Sequence, residues 1–116
     1  MCGIFGTINY EYPIENSMIF NGLLHRGPDE QGHYSLYNVN LYHTRLAIQD
    51  LSVTGQQPME HNGLVIVFNG EIYNHMELRE KYGLKASSNS DTLTILMMFE
   101  LMGMDMLEEF DGMFAF

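Results

Sequence analysis

The sequence predicts one domain of mixed α and β class. Strand-like and helix-like segments alternate irregularly along its 116 residues, and the strand-like segments are concentrated early in the chain. Apolar residues make up 46% of the chain and charged residues 17%, which is enough apolar material to build a core. No repeat, low-complexity tract or linker divides the sequence, so its length corresponds to about one domain.

The first half of the chain is predicted to hold three strands and one helix. Residues 2–8 form a short apolar segment punctuated by glycines, which predicts a buried strand. Apolar positions at helical spacing predict a helix over residues 14–24, and the turn at 27–29 ends any regular structure after it. Residues 33–37 and 40–48 predict two strands joined by a tight turn.

The middle of the chain changes from loop to strand. Residues 51–63 are rich in Gly, Gln, Pro and Asn, which predicts a loop. Five consecutive apolar residues at 64–68 then predict a strand that is buried on both faces. Asn69-Gly70 is a strong turn dipeptide, so we expect the strand to stop there.

The last third of the chain is predicted to be mainly helical. Asn74 and Glu77 have the spacing of a capping box, which predicts a helix to about Tyr82. Ser90 predicts the cap of a helix that runs through Met102 and stops at Gly103. This helix is apolar nearly all round and is therefore expected to be buried. The remaining predicted elements are a short strand over 83–87, a short helix over 105–110 and the opening of a strand over 113–116. The apolar end of the sequence leads us to expect a domain that is truncated at this point.

The charge balance excludes several classes of partner. Five Lys and Arg residues stand against fifteen Asp and Glu residues, which gives a formal net charge of −10. This balance argues against binding to nucleic acid or to an anionic membrane surface, since both need clustered cations. A single cysteine excludes an intrachain disulfide and is typical of a reducing compartment. With no apolar run long enough to cross a bilayer and no basic-then-apolar leader, we expect a cytoplasmic protein.

Cys2 is the first candidate for chemistry. A lone cysteine is commonly an inert buried residue, but this one becomes the N-terminal residue if Met1 is removed. Its thiol and a free α-amine then share one Cα atom, and an α-amine with a pKa of about 7.7–8.0 can accept the thiol proton at working pH. Such an N-terminal nucleophile needs no histidine partner.

Seven motifs in this order resemble a class II glutamine amidotransferase domain of the asparagine synthetase type. They are MCGIFG (1–6), HRGPDEQG (25–32), HTRLAI (43–48), GQQP (55–58), NGEIYNH (69–75), the Ser-Asp pair (90–91) and GMFAF (112–116). The resemblance covers residues 1–116. It implies an α+β fold of the N-terminal-nucleophile hydrolase type, with stacked antiparallel β-sheets flanked by helices (αββα). It also implies hydrolysis of glutamine to glutamate and ammonia by the N-terminal cysteine.

The resemblance assigns roles to residues beyond Cys2. Asn69 and Gly70 correspond to the oxyanion hole, and Glu71 to a contact near the α-amine of the substrate. Arg45 corresponds to the residue that binds the α-carboxylate of glutamine, and Asp91 to the one that binds its α-ammonium group. The backbone from Leu46 through Ala47 and Ile48 to Gln49 corresponds to further substrate contacts, although Ala47 and Gln49 replace an expected serine and aliphatic residue.

Each of these residues also has a reading that involves no catalysis. Arg45 could make a surface salt bridge, which is worth little, instead of gripping a carboxylate with two donors. Asn69-Gly70 could be only a hairpin turn instead of an oxyanion hole. Asp91 could be an acid favoured by the helix dipole. Arg26 is expected to anchor the turn at 27–29.

No cofactor is expected in this domain. The five histidines have no zinc-like spacing, and neither nucleotide-binding fingerprint is present, so the histidines are expected to be structural. The resemblance implies ATP and magnesium only in a synthetase domain that receives the ammonia and is absent from this sequence. An incomplete sheet could also self-associate into a homo-oligomer.

The alternative function is a non-catalytic amidotransferase-like module that binds an amino acid or acts as a scaffold. It applies if Met1 is retained, since the amine of Cys2 is then part of a peptide bond and cannot act as a base. The ammonia acceptor is not determined by residues 1–116.

Overall fold

The computed structural model describes residues 1–47 and 55–116. These residues form an α+β arrangement of antiparallel strands and helices, as the sequence predicted. Their strands are β1 (Gly3–Ile8), β2 (Glu30–Leu36), β3 (Val39–Arg45), β4 (Met59–His61), β5 (Leu64–Ile66), β6 (Asn69–Ile72) and β7 (Gly112–Ala115). Their helices are α1 (Asn16–Leu23), α2 (His75–Tyr82) and α3 (Asp91–Met102), and a 3-10 helix spans Gly103–Glu108.

The N-terminal strands form a three-stranded antiparallel sheet in the order β1-β3-β2. The register places Gly3 opposite Thr44 and Ile8 opposite Val39. Strands at these three places were predicted, but the prediction that the first one is buried is wrong for much of its length. Phe5 is 38% exposed and Ile8 is 72% exposed, although α1 packs against β1 and β3. Strand β3 ends at Arg45, so its predicted continuation through Leu46 and Ala47 is wrong, and Ile48, its predicted end, lies outside the described residues.

A hairpin of β4 and β5 follows, and a two-stranded antiparallel pair of β6 and β7 lies further along the chain; both correct the sequence prediction. The β4–β5 hairpin turns at Asn62-Gly63, where both residues have positive φ angles of 50° and 79°. This is the conformation that favours the Asn-Gly dipeptide. Residues 51–63 were predicted to be loop, and the described part of that range contains β4. Asn69-Gly70, predicted to be the turn, instead begins β6, which pairs with β7.

The C-terminal elements agree with the prediction in position and differ in local detail. Helix α3 begins after Ser90, whose Oγ accepts a hydrogen bond from Thr92 N at 3.2 Å, and ends at Gly103 as predicted. The predicted capping box at Asn74 is wrong, since the Asn74 side chain makes no cap bond and binds the backbone of residues 109 and 111 instead. No strand forms over residues 83–87, and the predicted helix over 105–110 is the 3-10 segment.

The apolar core lies in the second half of the chain. Helix α3 is its centre, because residues 91–96 and Met98 are all buried. The buried cluster consists of Met59, Ile66, Phe68, Ile72, Leu78, Leu93, Ile95, Leu96, Met98 and Met106. Burial of side chains of this size contributes about 1.5–3 kcal/mol each, so this cluster fixes β5, β6 and α3 relative to one another. Among the described residues, no helix has both the length and the apolar character needed to span a bilayer.

Candidate active site

A pocket of about 270 Å³ opens between the N-terminal sheet and the core elements. One side is formed by the chain start and the end of β3, and the other side by the start of β6 and the start of α3. Its described lining residues are Met1, Cys2, Arg45, Leu46, Gly55, Gln57, Phe68, Asn69, Gly70, Glu71, Ser90, Asp91, Thr92 and Met113. Residues separated by up to 112 positions in the sequence therefore share one small cavity.

The pairing of β1 with β3 places Cys2 at the pocket. Since Gly3 lies opposite Thr44, Cys2, which precedes Gly3, lies next to Arg45 at the end of β3. The Cys2 Sγ atom accepts a hydrogen bond from Leu46 N at 3.4 Å, and Arg26 Nε donates to the Cys2 carbonyl oxygen at 3.4 Å. Arg26, expected to anchor the turn at 27–29, thus fixes the backbone of the cysteine.

The turn at 27–29 supports the end of β3. A Cβ atom at Gly27 would lie 2.4 Å from the Thr44 carbonyl oxygen, so only glycine allows this close approach. Asp29 N donates to the Arg45 carbonyl oxygen at 3.0 Å, and the Asp29 carboxylate accepts from Ala47 N at 2.9 Å. These contacts hold the backbone that carries Arg45 and Leu46 into the pocket.

Arg45 is a buried cation at the pocket wall. Its side chain is 5% exposed, and Nη1 forms an ion pair with Glu30 Oε2 at 2.8 Å. The surface salt bridge considered from sequence is therefore wrong in its location, because the pair lies at the edge of a cavity and not on an open surface. A guanidinium has five N–H donors in a fixed fork, so it can serve more than one acceptor.

Asn69, Gly70 and Glu71 bring the first residues of β6 to the opposite wall. Gly70 has a φ angle of 153°, and a Cβ atom there would lie 2.1 Å from the Met113 carbonyl oxygen. Glycine is therefore required at this position for β6 to pair with β7. The Oδ1 atom of Asn69 is buried and has no hydrogen-bond partner within the described ranges.

Asp91 is a buried acid at the N-terminus of α3. It is 4% exposed, and its Oδ2 atom accepts a hydrogen bond from Ile72 N at 3.0 Å. Burial raises the pKa of Asp91 above its usual value, while the bond from Ile72 and the charge of His75 oppose this shift. The bond also joins the first residue of α3 to the last residue of β6.

Arg79 holds the loop that leads into Asp91. It is 8% exposed, and it donates from Nε to Thr94 Oγ1, from Nη1 to the Ser88 carbonyl and from Nη2 to the Ser90 carbonyl, at 2.6–2.7 Å. Burial lowers the pKa of Arg79 and the nearby Asp91 carboxylate opposes that shift. Arg79 was not singled out from the sequence, because its partners lie 9 to 15 residues away.

His43 is buried and His75 is half-buried, and both lie near residues of the pocket. Burial lowers the pKa of His43 to about 4, and that of His75 falls below its usual value for the same reason. His43 Nε2 and His75 Nδ1 have no hydrogen-bond partner within residues 1–47 and 55–116. Both histidines are therefore neutral at pH 7, and the structural role expected from sequence stays a prediction. The described residues contain no group of three or more His, Cys, Asp or Glu side chains arranged to bind a metal ion.

The structure brings most of the predicted site residues together. Cys2, Arg45, Leu46, Asn69, Gly70, Glu71 and Asp91 all line the pocket. Ala47 does not line it and is bonded to Asp29, while Ile48 and Gln49 lie outside the described residues. Gln57, Phe68 and Thr92 also line the pocket and were not predicted as site residues. Gln57 was noted only as part of the GQQP motif, and Thr92 follows Asp91 directly.

Comparison with known proteins places this geometry in a family. A family model described as a glutamine amidotransferase domain matches residues 1–116. A Methanocaldococcus jannaschii protein named as an asparagine synthetase [glutamine-hydrolyzing] is 38% identical over the whole chain and 27% of its own length. Asparagine synthetase B of Escherichia coli is 37% identical over the whole chain and 22% of its length. Asparagine synthetase 1 of Arabidopsis thaliana is 41% identical over the whole chain and 21% of its length.

The chain thus spans about a quarter of the length of these relatives. The family match covers every described element and every residue of the pocket. The chain belongs to the glutamine amidotransferase domain family and is homologous to the glutamine-hydrolysing asparagine synthetases.

Proposed function

We propose that this pocket hydrolyses glutamine to glutamate and ammonia through a thioester on Cys2. One observation carries the proposal: a thiol, a buried cation, a buried acid and the start of β6 line one cavity although they come from separate segments. A free amino acid carries a negative carboxylate and a positive ammonium group. Arg45 and Asp91 have the complementary charges, so together they suit such a zwitterion.

The proposed reaction begins after Met1 has been removed. The α-amine of Cys2 takes the thiol proton, and the sulfur atom attacks the side-chain carbonyl carbon of glutamine. The Asn69 side-chain amide and the Gly70 backbone N–H stabilise the negative charge that develops on the carbonyl oxygen. The carbon–nitrogen bond then breaks, and ammonia leaves with the proton from the amine.

Water completes the proposed cycle. It adds to the thioester, glutamate is released, and the thiol regains its proton, so that glutamine and water give glutamate and ammonia. Losing one oxyanion donor typically slows such a reaction by about 10²–10³-fold. Arg45, Asp91, Glu71 and the backbone from Leu46 to Gln49 bind the α-carbon end of the substrate in this proposal. A guanidinium can bind the substrate carboxylate while it also pairs with Glu30.

The wider setting is part of the same proposal. The names of the relatives are those of asparagine synthetases, which supports an ammonia-consuming synthetase-like domain or subunit as the partner. ATP and magnesium are expected there and not in this pocket. We propose the stacked-sheet fold of N-terminal-nucleophile hydrolases for the domain and the cytoplasm as its location, the latter because a single cysteine suits a reducing compartment.

Removal of the thiol tests the chemistry. We expect Cys2→Ala to lower ammonia release from glutamine by about 10⁴-fold or more, because no other nucleophile is proposed. Equal release from the wild type and the variant would refute the assignment of Cys2. Intact mass should show a mature chain that lacks one methionine.

A retained Met1 would favour the second candidate function, a non-catalytic amino-acid-binding module. With Met1 retained, the amine of Cys2 is part of a peptide bond, and Met1 itself lines the pocket. Calorimetry with glutamine separates the two functions, since the module binds glutamine without releasing ammonia.

Removal of the buried cation tests the substrate clamp. We expect Arg45→Ala to raise KM for glutamine about 10- to 100-fold, because a hydrogen-bonded charge is lost. Arg45→Lys keeps the charge and should recover part of the loss, while Lys85→Ala, an exposed cation away from the pocket, should change nothing. An unchanged KM in Arg45→Ala would remove the clamp from the mechanism.

A further inference from the structure

Gln57 connects the residue before β6 to the start of α3, which lie on the same side of the pocket, through its side-chain amide. Its Oε1 atom accepts a hydrogen bond from Phe68 N at 2.6 Å, and its Nε2 atom donates to Thr92 Oγ1 at 3.2 Å. A backbone N–H can only donate, so the orientation of the amide is fixed by Phe68, and the Thr92 hydroxyl accepts the remaining bond. The two partners lie 11 and 35 residues from Gln57 in the sequence.

Each partner is one residue away from a proposed substrate contact. Phe68 precedes Asn69, which is the proposed oxyanion donor, and Thr92 follows Asp91, which is the proposed ligand of the α-ammonium group. Phe68 is 3% exposed and Thr92 is 2% exposed, so bulk water cannot supply the hydrogen bonds that these residues make with Gln57. A buried donor that loses its partner costs about 1–3 kcal/mol of free energy. The bridge therefore holds Phe68 and Thr92 in a fixed relative position.

The backbone of Gln57 is held by the N-terminal sheet. A Cβ atom at Gly32 in β2 would lie 1.8 Å from the Gln57 carbonyl oxygen, so the two backbones are in close contact. Strand β2 also carries Glu30, which pairs with Arg45 at 2.8 Å. Gln57 is therefore positioned by the side of the pocket that carries Arg45 and bonds to the side that carries Asn69 and Asp91.

We propose that Gln57 is a positioning residue that sets the distance between the oxyanion donors and Asp91, and through it the side-chain length of the amino acid that is hydrolysed. The inference rests on the proposed function, since it takes Asn69 and Asp91 to bind opposite ends of one substrate. Glutamine and asparagine have the same functional groups and differ by one methylene group. A pocket in which the distance between the oxyanion donors and Asp91 is fixed distinguishes glutamine from asparagine. A pocket in which this distance varies distinguishes them less well.

The expected loss of kcat/KM follows from the strong dependence of reaction rate on the positions of the reacting groups. A displacement of about 1 Å can slow an enzyme about 10²-fold. We therefore expect loss of the bridge to lower kcat/KM for glutamine about 10- to 100-fold. Because a shorter substrate then reaches both ends more easily, the ratio of kcat/KM for glutamine to that for asparagine should fall about 10-fold.

The experiment compares four full-length proteins: the wild type, Gln57→Met, Thr92→Val and Gln56→Met. Methionine keeps the length of glutamine without its amide, and valine keeps the shape of threonine without its hydroxyl. Gln56 is the matched control, since it is adjacent, exposed and not part of the pocket with Cys2. The thermal midpoint of each protein is recorded, and rates are expressed per folded molecule.

The selectivity ratio is the decisive measurement. A purely structural role would lower the thermal midpoint and leave this ratio unchanged, whereas the bridge predicts that it falls in Gln57→Met and in Thr92→Val but not in Gln56→Met. The double variant Gln57→Met/Thr92→Val should be no worse than Gln57→Met, because both changes break the same bond. An unchanged ratio in both single variants, or an equal change in Gln56→Met, overturns the proposal.

Binding measurements keep this test separate from the test of the proposed function. Calorimetric dissociation constants for glutamine and asparagine are measured with Cys2→Ala as the background, where no turnover takes place. A wild type that binds glutamine and releases no ammonia refutes the hydrolysis, and the ratio of the two constants still decides whether Gln57 sets the distance. A protein that binds neither amino acid overturns both proposals.

Discussion

The two sides of the pocket are held in different ways. The side with Asn69 and Asp91 belongs to the apolar core, whose ten buried residues all lie between Met59 and Met106. The side with Cys2 and Arg45 belongs to the three-stranded sheet, where polar contacts are prominent. Thr44 Oγ1 donates to the Leu23 carbonyl at 3.0 Å and Tyr42 Oη donates to Asn16 Oδ1 at 2.8 Å.

This difference has a physical consequence for the site. Apolar burial is not directional and depends weakly on pH, so the core side should tolerate changes in solution conditions. Hydrogen bonds and ion pairs depend on single atoms and on protonation, so the sheet side should respond to the loss of one atom. Cys2, the proposed nucleophile, thus lies on the side of the pocket that is easier to disturb.

The largest effect on stability is expected on the core side. Met98 is 0% exposed and lies in the centre of α3, so Met98→Ala removes buried atoms and leaves a cavity. We expect the free energy of unfolding to fall by about 2–5 kcal/mol. Urea denaturation measures this loss, and Met104→Ala, at a position that is 57% exposed, serves as the control. Similar losses in the two variants would contradict the assignment of the core to this half of the chain.

The next effect is a dependence on pH that comes from the sheet side. The pKa of His43 is lowered to about 4 in the folded protein by burial, against about 6.5 in the unfolded chain. Its contribution to stability is therefore complete above pH 6.5 and is lost as the pH falls to 4, by about 3 kcal/mol in total. Urea denaturation at pH 7 and pH 4 should show this loss in the wild type and a smaller loss in His43→Asn.

Nearby charges modify the pKa of His43, and the shifted pKa of Asp91 gives a pH dependence of the opposite sign. Arg45 reinforces the lowered pKa of His43 and Glu30 opposes it. The raised pKa of Asp91 acts in the opposite direction, since a folded state that binds this proton more tightly gains stability as the pH falls. Acid should therefore weaken the sheet side first. An equal pH dependence in the wild type and in His43→Asn would contradict this.

A smaller effect is expected from one hydroxyl group of the sheet. Thr44 is 0% exposed, and Thr44→Val keeps its shape but removes one of the two hydrogen bonds that the Leu23 carbonyl accepts, the other coming from Arg26 N at 2.9 Å. We expect a loss of about 1–2 kcal/mol in the free energy of unfolding. The exposed Ser35 in β2 offers a comparison, and Ser35→Ala should have no measurable effect. A Thr44→Val protein as stable as the wild type would show that apolar contacts suffice for this sheet.

The smallest effect is expected at the helix cap beside Asp91. Ser90→Ala removes the bond from Thr92 N and keeps the backbone carbonyl that Arg79 binds. We expect about 1 kcal/mol of lost stability, which is typical of an N-cap serine. Thermal unfolding measures it, with the exposed Ser87→Ala as the reference. If both serines prove equivalent, the cap does not contribute to the position of α3.

Two Asn-Gly dipeptides show where prediction from sequence succeeds and where it stops. Asn62-Gly63 and Asn69-Gly70 have the same local preference for a turn, yet only the first forms one. The second is drawn into β6 because Gly70 pairs with Phe114, which is 44 residues away. Local preference could not show this, whereas the cap at Ser90 and the stop at Gly103 were predicted because their partners are a few residues away.

The candidate site shows the same division. Cys2, Arg45, Asn69 and Asp91 were predicted as site residues from motifs, and the structure places them on one pocket, although their roles stay predictions. Gln57 was missed as a site residue because its hydrogen bonds reach Phe68 and Thr92, and no local pattern marks such distant partners.

The register between β1 and β3 determines the position of the Cys2 thiol. Side chains alternate between the two faces of a sheet, so deleting one residue within β1 would turn the sulfur atom away from the cavity. A slip of two residues would restore the face but move the sulfur about 7 Å along the strand. The number of residues from Cys2 to Ile8, which pairs with Val39, thus determines where the thiol lies in the pocket. Length changes in β1 should be less tolerated than most substitutions in it.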